Sequence, residues 1–248
     1  MNVFQEFFYW LYDAYGLNFI VFYDSWEFNR YLVGLTNTLY LCVICVVLSV
    51  VVGIAGAWLQ TSRFAPLRWV VYCYIQFFRN TPPLAQMYFF YFGLGSVMPR
   101  ITNDMGLQEP MFGNFEWAII ALTLFAGAFN VEIFRSGIEA VPKTTVEAAS
   151  ALGYSRWKAY VHIIFPLALR ICMPGLTNNL VNLLKTTSIA YAIGVAEVLY
   201  VANQIWAVEF NVPEMMNLVL VTYLVIVSSF VWMMSRITKR MRIPGYNW

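Results

Sequence analysis

Long apolar runs separated by short polar intervals set the rhythm of this chain. The runs cover residues 38–58, 70–94, 117–134, 171–193 and 215–235. A bilayer core about 30 Å thick needs roughly 20 mostly apolar residues per spanning helix, so the pattern predicts about five membrane-crossing helices. The second run is interrupted by Arg79 and the pair Pro82-Pro83, and the fourth by Lys185. Composition agrees. Hydrophobic residues make up 60% of the 248 positions and charged residues 11%, with a mean hydropathy of +0.63. A soluble domain of this size could not cover that much apolar surface.

Charge then orients the pattern. Arg63, Arg68, Arg135, Lys143, Arg156, Lys158, Arg170, Arg236, Lys239, Arg240 and Arg242 fall in intervals on one side of the predicted spans, whereas the opposite intervals hold only Arg30 and Arg100. The excess of basic residues marks the cytoplasmic side. Glu6, Asp13, Asp24, Glu27, Asp104, Glu109, Glu116, Glu197, Glu209 and Glu214 gather on the other side. The net charge of +2 conceals this sorting, which speaks of topology and not of nucleic-acid binding. An odd number of spans with a cytoplasmic C-terminus puts the N-terminus outside.

The segment 1–35 stands apart. Phe4, Phe7, Phe8, Trp10, Leu11, Tyr12 and Tyr15 make it aromatic, no basic region precedes it, and Asp13, Asp24 and Glu27 interrupt it. It reads as a helix lying in the outer interface and not as a cleavable signal. The charges weigh against the alternative, a sixth span. Trp10, Trp26, Trp58, Trp69, Trp117, Trp206, Trp232 and Trp248 fall mostly near span ends, as interfacial anchors do.

The basic interval at about 135–170 carries its own signals. Pro142 can open a helix, and Thr144 with Glu147 has the spacing of a capping box, so a short helix is expected over about 145–152. Gly153 can end it in the left-handed conformation and Ser155 can cap the next helix. In that second helix Trp157, Tyr160, Val161 and Ile164 recur on one face before Pro166 interrupts the hydrogen bonding. The residues leave two readings open: an elbow that inserts into a groove of a soluble partner, or an amphipathic connector at the lipid surface.

The spacing Glu147-Ala148-Ala149, Gly153, Ile163, Pro166 resembles the cytoplasmic signature of permease subunits of bacterial ATP-binding-cassette importers, with Phe165 where that family more often has leucine. The stretches 78–83 (Phe-Arg-Asn-Thr-Pro-Pro), 132–138 (Glu-Ile-Phe-Arg-Ser-Gly-Ile) and 185–189 (Lys-Thr-Thr-Ser-Ile) are similar to the polar amino-acid branch of the family, and the likeness covers about 34–240. It implies an all-α integral membrane protein with a type I importer-like transmembrane domain over 36–248. It also implies uptake of a polar amino acid or related compound across the bacterial inner (plasma) membrane. The implied partners are two ATP-binding-cassette ATPase subunits, a second permease subunit, identical or homologous, and an external substrate-binding protein. Glu147, Ala148, Ala149, Gly153, Ile163 and Pro166 would then couple to the ATPase.

Ionisable residues inside spans point to a cavity or a partner, because a charge in hydrocarbon is costly. Arg79, Glu132 and Lys185 qualify. Arg79 precedes a proline break and Lys185 precedes Thr186, Thr187 and Ser188, whose hydroxyls compete for backbone groups. Broken helices at membrane depth are tolerated where they line a cavity. The expected substrate pathway therefore comprises Arg79, Thr81, Gln86, Asn130, Glu132, Lys185, Thr187 and Ser188; the alternative is that the charges simply hold the bundle together. Phe129 fits the aromatic position that the resembled branch places before the glutamate, whereas Val131 departs from the small residue expected there.

Other chemistry is not signalled. Cys42, Cys45, Cys73 and Cys172 all lie in apolar runs, and the single histidine, His162, makes no metal-ligand set. No phosphate loop of the form G-x-x-x-x-G-K-[ST] occurs, so no ATP or magnesium site is expected in this chain. A stand-alone carrier or channel remains the rival class, as does a scaffold or receptor that moves nothing.

Overall fold

The computed structural model describes residues 3–102 and 105–241; Asp104, Arg242 and Trp248 lie outside the described residues. The chain is almost wholly helical. Helix α1 spans Val3–Tyr15 and α2 spans Ser25–Gln60. Next come α3 (Ala65–Asn80), α4 (Pro83–Tyr88), a π-helical turn at Phe89–Leu94 and the short α5 (Gly95–Val97). A two-stranded antiparallel ribbon pairs β1 (Arg100–Thr102) with β2 (Gln108–Pro110), Ile101 opposite Glu109. Helix α6 spans Asn114–Glu139, α7 Lys143–Ala151 and α8 Arg156–Ala159. A second π-helical turn, Tyr160–Ile164, leads into α9 (Phe165–Thr186). A 3₁₀ segment, Thr187–Ile193, follows, then α10 (Val198–Glu209) and α11 (Val212–Arg240).

Among the described residues four helical stretches are long and apolar enough to cross a membrane: Ser25–Gln60, Asn114–Glu139, Arg156–Ile193 and Val212–Arg240. The run expected at 70–94 is divided among α3, α4 and the π turn, because Thr81 adopts an extended conformation ahead of Pro83. Residues 25–35 belong to the same helix as the first long run, so position 35 falls inside α2.

The residues fall into two compact units. One comprises Met1–Ile44, Leu84–Ala121 and Leu184–Ser228; the other comprises Cys45–Pro83, Leu122–Leu183 and Ser229–Trp248.

In the first unit Val21, Tyr31, Val198, Val201, Ala202, Ile205, Met215 and Val219 form the apolar core. Asn18 fastens the N-terminal segment to the turn between α10 and α11. Its backbone N–H donates to Glu214 at 3.1 Å, Tyr23 donates to its side-chain oxygen at 2.6 Å, and Asn211 donates to its carbonyl at 2.8 Å. Burial, reinforced by Tyr12 and Glu209, pushes the Tyr23 hydroxyl up to about 12, so it stays a donor. Glu197, expected among the acidic residues of an outer loop, is completely buried. It caps α10, accepting from the backbone N–H groups of Leu199 and Tyr200 at 3.0 and 2.8 Å and from the Tyr223 hydroxyl at 2.9 Å.

In the second unit glycines let α2 and α6 approach closely. A Cβ on Gly53 would lie 2.4 Å from Cβ of Asn130, and one on Gly56 would lie 2.3 Å from a Val131 methyl. This accounts for the unexpected valine: the small residue of that contact is Gly56, on the opposite helix. Gly137 does the same for α6 and α9, where a Cβ would lie 2.8 Å from the Ala168 carbonyl oxygen. Small residues at crossings gain van der Waals contact in lipid, where no hydrophobic force drives helices together. Cys42, Cys45 and Cys172 are buried free thiols and Cys73 is half-buried, consistent with packing roles.

Two measurements check this packing. Gly56→Ala should destabilise the protein by about 1–3 kcal/mol through overpacking, and Val131→Ala should recover much of that loss, since it removes the two Val131 methyls at 2.3 and 3.2 Å and leaves its Cβ at 3.4 Å. Thermal unfolding of the four members of the double-mutant cycle reads the coupling. Burial raises the Glu197 carboxyl above its ordinary range, against the hydrogen bonds that lower it. A raised acid stabilises the fold fully below the ordinary carboxylate range and loses that contribution as pH rises through the raised value. The unfolding temperature of the wild type, relative to Glu197→Gln, should therefore fall as pH rises above the ordinary carboxylate range.

Candidate functional site

The elbow forms where the sequence predicts it, with altered caps. Helix α7 starts at Lys143, earlier than expected, and its N-cap is Pro142 without a side-chain cap bond, so Thr144 sits inside the first turn and the expected capping box with Glu147 is not made. The C-terminal end follows expectation. Gly153 takes φ +79° and donates to the Ser150 carbonyl at 3.0 Å, while Tyr154 donates to Ala149 at 3.1 Å, the paired bonds of a Schellman stop. Nothing lies within 4 Å of a Cβ built on Gly153, so it is the backbone conformation that requires glycine there. Ser155 then caps α8, accepting from Lys158 at a long 3.4 Å.

Glu147 and Ala148 are exposed on α7, whereas Ala149 is buried and packs inward. Ile163 and Pro166 are half-buried. Pro166, expected to interrupt the hydrogen bonding, lies just after a change of helix type and does not end the helix. The wider turn at Tyr160–Ile164 precedes it, and helix continues through it into α9. One extra residue per turn also rotates the following positions. Phe165, and not Ile164, therefore joins Trp157, Tyr160 and Val161 on one surface.

The expected pathway residues divide between the two units. In the second, Arg79 and Glu132 approach to 3.6 Å, and the Arg79 guanidinium lies 5.4 Å from the Phe129 ring centroid. Arg135 holds the same Glu132 more firmly, at 2.9 and 3.2 Å, and also reaches Glu139 at 2.9 Å. Arg135 was a basic loop residue in the sequence reading; its place three residues after Glu132, one turn along the helix, was the available signal. Within this chain the Arg79 and Glu132 side chains are 40% and 27% exposed, so neither is enclosed by its own fold. Thr81 donates to the Phe77 carbonyl at 2.7 Å, at the break before Pro82.

Asn130 does not open onto that cluster. It is fully buried, donates to Ser49 at 3.3 Å and accepts from Asn179 at 2.8 Å, and Asn179 also donates to the Ala126 carbonyl at 3.1 Å. Its amide is consumed by a helix-to-helix chain of hydrogen bonds in which Ser49 and Asn179 were not anticipated. A lone buried amide cannot be told from a ligand by sequence alone.

In the first unit Lys185 is exposed near the end of α9, where the helix tightens to 3₁₀. The break occurs through the hydroxyls expected to cause it: Thr187 donates to the Leu184 carbonyl at 2.8 Å and Ser188 to that of Lys185 at 2.9 Å. Thr187 is fully buried, with its hydroxyl 3.8 Å from the Cys42 sulfur, and Gln86 is buried as well. Among the described residues no group of His, Cys, Asp and Glu side chains could hold a metal ion.

Known proteins share this architecture and sequence. The family described as "Binding-protein-dependent transport system inner membrane component" matches residues 46–243. The chain is 32% identical over 210 residues to a probable glutamine ABC transporter permease protein of Bacillus subtilis, covering 85% of this chain and 91% of that protein. It is 32% identical over 192 residues to the nopaline transport system permease protein of Agrobacterium fabrum, covering 76% of this chain and 78% of the other. A crystal structure of an amino acid ABC transporter with histidines superposes with a TM-score of 0.73 at 29% identity, over 86% of this chain and 94% of that one. A fold of broken apolar helices, an elbow closed by a left-handed glycine and a family match over most of the chain converge: this protein belongs to the binding-protein-dependent transport system inner membrane components, the permease subunits of ATP-binding-cassette importers.

Proposed function

We propose that the chain is one of two permease subunits, identical or homologous, that form a route for a polar amino acid or an amino-acid-like compound such as an opine. Two ATPase subunits bind ATP and magnesium, and an external binding protein delivers the substrate. The chain crosses the membrane about five times, counting α3 with its continuation as one crossing, with the N-terminus outside. Segment 1–35 begins with an interfacial helix at the outer face.

The observation that carries the substrate reading is the unequal sharing of Glu132. Arg135 grips it with two hydrogen bonds, whereas Arg79 stands off at 3.6 Å over an aromatic ring. An exposed pair of that kind contributes about 1 kcal/mol or less and opens readily. A zwitterion can replace it, its ammonium taking the Glu132 carboxylate and its carboxylate taking the Arg79 guanidinium. Of the other residues assigned to the route, Thr81 and Asn130 belong to the same unit as this pair, and Gln86, Lys185, Thr187 and Ser188 to the other. The relatives named for glutamine and nopaline transport both handle molecules with an amino-acid head, which supports this chemistry.

Helix α7 is the ATPase contact in this reading. Glu147 and Ala148 face outward on a short rod stopped sharply by Gly153, a shape suited to a groove. Ala149, Ile163 and Pro166 hold the rod to the bundle.

Arg79→Gln should lower amino-acid uptake on the order of tenfold or more, the cost of one charge-assisted hydrogen bond, while co-purification with the ATPase is unchanged. Loss of assembly instead would make the pair structural. Gly153→Val forces a β-branched side chain into the left-handed region, at about 1–2 kcal/mol or more. It should uncouple ATP hydrolysis from uptake in reconstituted vesicles. Unchanged coupling would overturn the transmitting role of Gly153, whereas recovery of the intact chain without any ATPase would favour the carrier or channel.

A further inference from the structure

A second site lies away from the charged cluster. Ile54 and Trp58 of α2, with Trp157 of α8, Tyr160 and Val161 of the π turn and Phe165 of α9, line a cleft of about 410 Å³ whose wall is nearly all apolar. Its aromatic surface is continuous. Trp157 stacks on Tyr160 at 6.3 Å with 20° between the planes, and Tyr160 meets Phe165 at 6.3 Å. Trp58 and Trp157 are 50% and 63% exposed.

The cleft sits at the ends of two spanning stretches. Trp58 is two residues from the end of Ser25–Gln60, and Trp157 is the second residue of Arg156–Ile193. Aromatic side chains at that depth mark the boundary between hydrocarbon and headgroup. Cations flank both tryptophans in sequence: Arg63 just beyond the end of α2, and Arg156 and Lys158 on either side of Trp157. All three are exposed, and among the described residues none has a carboxylate partner. Neither lining segment supplies one, because no acidic residue occurs from Phe28 to Asn103 or from Ala148 to Ala196. Nearby, Arg68 donates to the Ser62 carbonyl at 2.8 Å and closes the turn after α2.

We propose that this cleft binds a single anionic phospholipid. One acyl chain lies along Ile54, Val161 and the aromatic wall, and the phosphate headgroup is held by Arg156, Lys158 and Arg63. An apolar slot alone would accept any acyl chain or another protein helix; the three exposed cations that flank its tryptophans in sequence select a negatively charged head. The π turn is what assembles the site, since it brings Phe165 onto the surface of Trp157 in place of Ile164. The lipid thereby lies along the helix that leads from the elbow into the bundle.

The test is tryptophan quenching by brominated lipid, with the full chain reconstituted together with its co-purifying subunits. Phosphatidylglycerol and phosphatidylcholine carrying identical brominated chains are compared at equal mole fraction. The expected result is preferential quenching by phosphatidylglycerol, with an apparent affinity advantage on the order of fivefold per basic residue. Trp58→Phe/Trp157→Phe should remove the extra quenching, and Arg63→Gln/Arg156→Gln/Lys158→Gln should equalise the two lipids. Equal quenching of the wild type by both lipids would overturn the proposal and leave ordinary boundary lipid. Quenching that the Trp58→Phe/Trp157→Phe change leaves untouched would overturn it as well, meaning that a subunit covers the cleft. Equal quenching of the wild type by the two lipids overturns the proposal even if a variant fails to assemble.

Discussion

An unpaired backbone carbonyl or amide costs several kcal/mol in hydrocarbon, so every interruption of a spanning helix must be compensated where it occurs. This chain interrupts its helices repeatedly and repairs several of the breaks with the side chains at hand. Ahead of Pro82, Thr81 donates to the Phe77 carbonyl and Asn80 to that of Gln76, both within one turn of the break. Where α9 tightens to 3₁₀, Thr187 and Ser188 donate to Leu184 and Lys185. Where the π turn begins, the His162 ring nitrogen lies 3.0 Å from the Lys158 carbonyl oxygen. Hydroxyls, amides and an imidazole therefore cluster beside breaks because the backbone requires them, and only the groups left over are free to meet a solute.

That rule separates what the sequence could reveal from what it could not. The breaks after Arg79 and Lys185 were legible, since prolines and consecutive hydroxyl residues act through local geometry. So was the stop at Gly153, where a left-handed residue is needed on any reading of the elbow. The partners of buried polar groups were not legible. Asn130 and Thr187 looked like pathway residues by type and position, yet one closes an amide chain with Ser49 and Asn179 and the other caps a carbonyl beside Cys42. Val131 looked anomalous because its matching glycine, Gly56, lies 75 positions earlier on another helix. Glu197 appeared to belong to an acidic outer face but is wholly buried as a helix cap.

The two ends of the elbow solve different mechanical problems. Helix α7 terminates in paired backbone hydrogen bonds around a glycine whose surroundings are empty, so its direction is fixed by the chain itself and not by packing. The following helix passes through Pro166 by widening into a π turn, a form with longer reach and weaker internal geometry than an α turn. A sharp stop followed by a pliable turn is a sensible order for a part that must receive a push and pass it on. Force applied to a frayed helix end would dissipate in local unfolding, whereas a Schellman stop resists fraying.

The pliable turn is also where the apolar wall of the cleft is built, so its conformation is open to influence from that side. A ligand changes an equilibrium only as far as it favours one state over the other. An α-helical register through 160–164 would turn Ile164 instead of Phe165 toward Trp157 and take one ring out of the wall. Any occupant that packs on Trp157, Tyr160 and Phe165 together therefore favours the π register, and with it the direction in which α9 leaves the elbow. The charged pair at Glu132 sits on α6, whose Gly137 packs directly against Ala168 and Cys172 of that same α9. Through this glycine contact, in which a Cβ would collide at 2.8 Å, a rotation of α9 cannot leave α6 undisturbed.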